Sequence, residues 1–383
     1  MDTQATAKIP RAFMDIPDPR KANITHRLID LLTIALFAII CGADDWVTVA
    51  TYGRAKLDWL KTFLDLSGGI PSHDTFSRLF ARIDPDAFEA CFQKWTAELV
   101  DVSGGKRVAI DGKSIRRSFE HGWDKSGMAH MVSAFVQANK LVLAQEKTDG
   151  KGQELLAIDK LLGMLDLKGA VVSIDAIGTQ KQVAQRILDA GANYVLQVKD
   201  NQPTLAAKLA LAMDEAILDR FKDLSSDYFQ ETDAGHDRFE ERKLWVCWDT
   251  QLLGDLAAQW PGLRALIAVE RTRQSTGANG KPKTSTQRHY YISSLDKRTQ
   301  AKRLAGYVRG HWSIENNLHW QLDVSFGEDQ RRNRKGHGAE NLSRMTRAAL
   351  NLLKRETSSQ GGIANRRKKC GWENEYLLKV VTG

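Results

Sequence analysis

A chain of 383 residues, 42% hydrophobic and 27% charged, carries enough apolar material for two or three cores, and that balance excludes a disordered or low-complexity protein. Lysine and arginine outnumber acids by 55 to 47, so the net charge of +8 favours an anionic partner. Cys41, Cys91, Cys247 and Cys370 stand too far apart for a zinc knuckle, and no charged-then-apolar leader opens the chain, so a reducing, cytoplasmic compartment is expected.

Residues 25–100 read as helical throughout. The longest apolar run, LIDLLTIALFAIICG at 28–42, is interrupted by Asp30 and falls short of the roughly 20 residues a membrane span requires, so a buried helix is predicted and no membrane partner. After Gly68-Gly69 comes PSHDTFSRLFARI, where Ser72 can cap a helix whose Phe76, Leu79, Phe80 and Ile83 recur at helical spacing. Two helices joined by a glycine turn fit either a helical bundle or a helix-turn-helix presenting Ser72, His73, Thr75 and Arg78 to DNA. VSGGK at 102–106 then breaks the helical pattern, which sets the expected boundary between a helical domain, 1–104, and an α/β domain, 105–383.

Three strand-like runs follow, RVAIDGKSI, MVSAFVQ and LVLAQEK, then helix, strand, helix and strand over LLAIDKLLGML, AVVSIDAIG, QKQVAQRILDA and NYVLQVK. That order predicts a mixed sheet flanked by helices. Two of its strands end at a lone aspartate, Asp111 and Asp175. Asp111 precedes a glycine, so a hairpin turn with Arg116 and Arg117 as ion partners is one reading of it. A shared divalent ion is the other, because unpartnered carboxylates at buried strand ends are costly and hard oxygen ligands suit Mg2+ or Mn2+. With a third carboxylate, two such ions could serve phosphodiester cleavage. Glu315 is the candidate, since it shares a helical stripe with His311, Leu318 and Leu322 in GHWSIENNLHWQLDVSFGEDQRR; Asp323, Glu328 and Asp329 compete with it. Basic residues between 331 and 369 would lay a stripe along a C-terminal helix, either a DNA contact or a solvated face.

The motifs AIDGKSIRRS, SIDAIGTQ, VLQVKDNQPTL and HWSIENNLHWQLDVSFGEDQ, in this order, resemble the ISAs1 family of insertion-sequence transposases, including the H-repeat-associated proteins. The resemblance spans nearly the whole chain and implies an RNase H-like DDE domain preceded by a helical associated domain. It puts the triad, and two Mg2+ or Mn2+ ions, on Asp111, Asp175 and Glu315. It also implies a β-rich insertion at about 205–295 and metal-dependent cleavage of transposon ends followed by strand transfer into target DNA. The partners would be DNA and further copies of the chain, a homodimer or larger synaptic complex in the bacterial nucleoid. DNA contacts are expected from Lys113, Arg116, Arg117, Lys199, Asn201 and Gln202; GHDRFEER, where Asp237 replaces the usual glycine, is either a further DNA contact through Arg238 or a charged hairpin edge. The wider group's Tyr, Arg, Glu, Lys signature keeps Tyr307 and Glu315 but has His311 and Leu322 at the other two places, with Arg309, Arg331 and Arg332 as substitutes. Trp312 and Trp320 are expected in the core. A catalytically silent DNA-binding relic, or a nuclease without strand transfer, are the alternative functions.

Overall fold

The apolar run is a helix, α1 (Leu28–Ile40), buried from Asp30 to Ile40. Its one acid is tolerated because Arg27, just outside the helix, donates to both Asp30 oxygens at 2.7 and 2.8 Å. These observations come from a computed structural model that describes residues 13–382 except 23, 101, 103, 120–127, 149–151, 236–237 and 277–281. Among the described residues, no helix is long and apolar enough to cross a membrane.

Helix α2 (Trp46–Ala55) starts on a capping box in which Asp45 accepts from the Thr48 amide at 2.7 Å. Helix α3 (His73–Phe80) starts on Ser72, whose hydroxyl accepts from the Thr75 amide at 3.3 Å, and it buries Phe76, Leu79 and Phe80, with Ile83 beyond its end also buried. Helix α4 (Pro85–Leu99) combines an Asp84 cap with proline at its first position. The strands and helices that follow are β1 (Arg107–Ser114), β2 (His130–Val136), β3 (Leu141–Thr148), α5 (Glu154–Met164), β4 (Val171–Ile174), α6 (Lys181–Asp189), β5 (Asn193–Val198) and α7 (Pro203–Leu218). Then come β6 (Ser226–Gly235), β7 (Arg238–Cys247), β8 (Ala265–Thr276), β9 (Pro282–Ser293) and α8 (Ala301–His311). Two π-helical segments, Glu315–His319 and Gln321–Ser325, precede α9 (Gly338–Arg355), α10 (Ile363–Trp372) and α11 (Asn374–Thr382).

The nine strands hydrogen-bond in the order β3-β2-β1-β4-β5-β9-β8-β7-β6. β1, β4 and β5 are parallel while β2 and β3 form an antiparallel pair, the arrangement the order of elements predicts for an RNase H-like sheet. The expected insertion is β-rich, yet it is no separate body. It begins with helix α7, and its last strand, β9, pairs antiparallel with β5 from Val195↔Ser293 to Val198↔Tyr290. β9 thereby covers what would be an open edge of the core sheet, and β8, β7 and β6 extend it.

By compactness the chain divides into two units, one of residues 1–101, 112–153 and 314–383, the other of 102–111 and 154–313. The first break between the units, at 101/102, lies close to the expected boundary at 104, and the first unit also takes in 112–153 and 314–383. In the first unit α1 packs on α9, and α4 packs on both α9 and β3, with the Thr96 hydroxyl donating to Leu143 O at 2.8 Å. The basic stripe divides. α9 is buried along nearly its whole length and Arg344 and Arg347 point inward, whereas Arg332, Lys335, Arg355 and Lys368 are exposed. Arg344 pairs with Glu89 at 2.9 Å and Glu340 at 3.3 Å, and Arg347 with Glu328 at 2.8 Å. A fragment ending at Val100 therefore leaves α1 uncovered and should aggregate or show no cooperative melt by circular dichroism. A monomeric, cooperatively melting fragment would contradict this.

In the second unit, Ala301, Leu304, Tyr307 and Val308 of α8 pack on a sheet face formed by Val171, Val195, Leu244, Val246, Ile267 and Tyr291. This seats the C-terminal end of α8 beside the end of β4.

Candidate active site

In the second unit, parallel pairing brings Ile110 of β1 opposite Ile174 of β4, so the next residues along, Asp111 and Asp175, are neighbours. β1 continues to Ser114, which rules out the hairpin-turn reading of Asp111-Gly112 and places Asp111 within the strand rather than at its end. Asp175 does sit at a strand end. It caps a single 3-10 turn, Ala176–Gly178, and its Oδ1 accepts from the Ile177 amide at 3.1 Å. Burial and then the charge of Asp111 push the Asp175 carboxyl above the usual range, against the opposing pull of His311 and the turn amides.

His311 therefore lies beside Asp175, where the wider signature has arginine, and its Nδ1 is 3.3 Å from Ser173 Oγ. Asn201 and Gln202, expected to grip DNA, are occupied in holding the turn after Asp175. Asn201 Nδ2 donates to Ala176 O at 2.5 Å, and Gln202 Nε2 donates to Thr179 O at 3.1 Å and Gln180 Oε1 at 3.0 Å. Thr179 adds a hydroxyl bond to Gln197 O at 2.6 Å. Gly178 completes the packing, since a Cβ there would run into the Ile174 side chain. Asn201→Ala should lower cleavage about 10–100-fold, the size typical of losing a group that orients a metal ligand. It should cost only about 1 kcal/mol of stability. Single-turnover cleavage and thermal melts of the same variant separate the two effects; equal loss in both would make Asn201 a purely structural group.

In the first unit, Glu315 opens a π-helical segment rather than continuing a regular helix, a distortion that recurs at functional sites. Its Oε2 lies 3.0 Å from His319 Nδ1. The hydrogen bond to His319 holds the Glu315 carboxyl below its usual range, burial opposes it, and the charges of His319 and Lys113 add to the lowering.

The three competing acids are engaged elsewhere. Lys113, only 7% exposed, has its Nζ 2.7 Å from Asp323, 3.1 Å from Asp329 and 3.8 Å from Glu328. Arg116 Nε adds a 3.1 Å contact to Asp329, and Glu328 is held by Arg347. Lys113 is thus caged by carboxylates and is no surface contact for DNA phosphates, which corrects the expectation. Arg331 is corrected likewise: it is buried, donating to Phe326 O at 3.2 Å and to the Thr346 hydroxyl. Arg309 pairs with Glu231 and Asp233. Arg116, Arg117, Lys199 and Arg332 are exposed. Of Arg238 only the backbone place at the start of β7 is described, and Asp237 lies outside the described residues. Trp312 and Trp320, expected in the core, are 60% and 51% exposed because their positions face away from the apolar side of their segments. The acid cage around Lys113 escaped sequence reasoning; the dense charges of GEDQRR were its only trace.

Neighbouring carboxylates on adjacent parallel strands are an arrangement that metal-dependent phosphoryl-transfer enzymes use. The chain matches the model of the Transposase DDE domain over residues 103–352 and that described as DDE_Tnp_1-associated over 11–96, and it belongs to this transposase family. It is similar to "Putative transposase YncI" of Escherichia coli O157:H7, 39% identical over 368 residues, 96% of this chain and 92% of that one. It is also similar to "H repeat-associated putative transposase YhhI" of E. coli K12, 35% identical over 373 residues, 96% of each chain. Among solved structures, a piggyBac transposase synaptic complex with hairpin DNA matches with a TM-score of 0.42 and 11% identity, over 98% of this chain and 75% of that one, a likeness too weak to carry an argument.

Proposed function

We propose that this DDE transposase, of the ISAs1 type, cuts DNA at the ends of its own insertion sequence and joins the freed 3′ ends to target DNA. Asp111, Asp175 and Glu315 would together hold two divalent ions. The observation that carries this reading is the Asp111–Asp175 pair on adjacent parallel strands. Burial and like charge raise Asp175, so the pair suits a divalent cation that would offset both terms. Glu315 is the third ligand because, of the four acids in its segment, it alone is not engaged by lysine or arginine among the described residues. When bound, Mg2+ or Mn2+ would neutralise charge on the phosphodiester and on its leaving oxygen.

The chain's own groups divide the remaining work. Asn201 and Gln202 hold the Asp175 turn in place, and His311 stands close enough to supply positive charge beside Asp175. Lys199, Arg116, Arg117 and Arg332 are exposed cations able to meet DNA phosphates, and we extend the same role to Arg238. The exposed Ser72, His73 and Arg78 of the capped helix α3 are the base-reading candidates, with Thr75 half-buried beside them. Acting on two ends implies a dimer or larger assembly on DNA.

Incubating the protein with its flanking DNA ends and Mg2+ tests the reading. Nicks or double-strand breaks at the ends, together with joined products, are expected. Breaks without joining would leave a nuclease, and binding without breaks would leave a DNA-binding relic.

A further inference from the structure

At the start of β1, on the second unit alone, Arg107, Lys302 and Arg303 converge on a cavity of about 360 Å³. Both arginines lie over the Tyr307 ring, 5.6 and 5.8 Å from its centroid. They are held by neutral groups only: Arg107 donates to Gly306 O, Arg303 Nε donates to the Tyr307 hydroxyl at 2.9 Å, and that hydroxyl donates to Gly105 O at 3.1 Å. Among the described residues no carboxylate lines the cavity or pairs with any of the three cations. Its floor is glycine. A Cβ at Gly105 would strike the Arg303 guanidinium, and one at Gly306 would come within 3.2 Å of Arg107.

Two guanidinium groups fixed over one ring, with a lysine beside them and no counter-charge, form an unsatisfied cationic site that an oxyanion would relieve. Burial, and less strongly Arg303, pull the Arg107 guanidinium below its ordinary value against an opposing contribution from Tyr307, the direction expected of a cation that lacks an anion. The cavity is larger than a lone anion needs, and arginine forks match phosphate geometry. Arg107 opens β1 and Asp111 lies four residues along it, about 13 Å at the usual rise per residue. A phosphate held here is therefore a different one from any phosphate at the acids.

We propose that Arg107, Lys302 and Arg303 form a phosphate-binding pocket that engages the DNA backbone at a point remote from the cleaved bond. The choice of DNA as the source of the phosphate, and the pocket's distance from the cleaved bond, rest on the function proposed above; free phosphate is the other source of the same chemistry.

The test uses the full-length chain and the variant K302Q/R303Q, which changes exposed side chains in the first turn of α8, together with R107K, which keeps the charge but loses the fork. Duplex affinity is measured by fluorescence anisotropy across a potassium chloride series, and thermal melts are recorded with and without inorganic phosphate. Each phosphate contact contributes about 0.9 to the slope of log affinity against log salt, so K302Q/R303Q should flatten the slope by about one, and R107K should weaken binding while leaving the slope nearly unchanged. An unchanged slope, with inorganic phosphate raising the melting temperature of the wild type but of neither variant, would assign the pocket to a free anion. An unchanged slope and no phosphate effect on melting would overturn the proposal. Because these readouts need no cleavage, failure of the proposed transposition chemistry would appear separately, as intact wild-type binding without cut ends.

Discussion

Asp111→Asn, Asp175→Asn and Glu315→Gln should each reduce cleavage of the insertion-sequence ends by about a thousandfold or more, because each replaces a charged oxygen donor by a neutral amide of the same shape. DNA binding should change little. Glu328→Gln separates this assignment from its nearest rival, since Glu328 is buried beside Arg347 and Lys113 and is expected to matter for folding rather than for metal. Near-normal cleavage by Glu315→Gln would remove Glu315 from the site. The Asp175 variant has a second signature. A carboxyl raised above its unfolded value of 3.8 costs the fold more when ionised, so it subtracts stability as pH rises through its titration range, and the cost is absent below the unfolded value. Asp175→Asn should thus melt higher than the metal-free wild type at pH 7, with the difference closing in acid. Added Mg2+ should raise the wild type more than the variant. A variant no more stable at pH 7 than in acid, relative to wild type, would contradict the like-charge account of the pair.

Breaking the Glu328–Arg347 pair should be the most destabilising single change in the first unit. Both groups are buried and 2.8 Å apart, with Ser343 Oγ also 3.2 Å from Glu328. Removing either partner strands a charge away from water, at a cost of about 3–5 kcal/mol, whereas Glu328→Leu with Arg347→Met should cost much less than the sum of the single changes. Urea unfolding of the two single variants and the double variant gives the coupling directly; additive losses would mean that the two charges act independently. The pair also sets an acid limit. Burial alone would raise the Glu328 carboxyl, but Arg347, Lys113 and Arg331 outweigh it and hold it below the usual value. Its contribution is therefore complete above the unfolded value of 4.5 and is lost as pH falls through the lower, folded value.

The same network shows where the reading of the sequence stopped. Apolar runs ending at Asp111 and Asp175, the Ser72 cap and the buried character of residues 28–40 were all legible, because strand alternation, helix capping and apolar periodicity depend on neighbours a few residues away. The order of strands and helices predicted a mixed sheet, but only the strand pairing made β1 and β4 neighbours, and with them the two aspartates. Which charges face DNA was not legible. Arg331, Arg344 and Arg347 read as a basic stripe, and Lys113 as a phosphate contact, until partners from distant parts of the chain met them. Arg344 meets Glu89 across 255 residues of sequence and Lys113 meets Asp329 across 216.

The β-rich insertion was legible in content but not in place, since nothing local to 226–293 says that β9 will seal the edge of β5. Trp312 and Trp320 show the reverse error: their chemistry suggested a core, but both face away from the apolar side of their segments. Sequence pattern determines which side chains share a face. Whether that face ends against water, an opposite charge or another layer is decided by segments far along the chain, and at an active site that difference separates a metal ligand from a salt bridge.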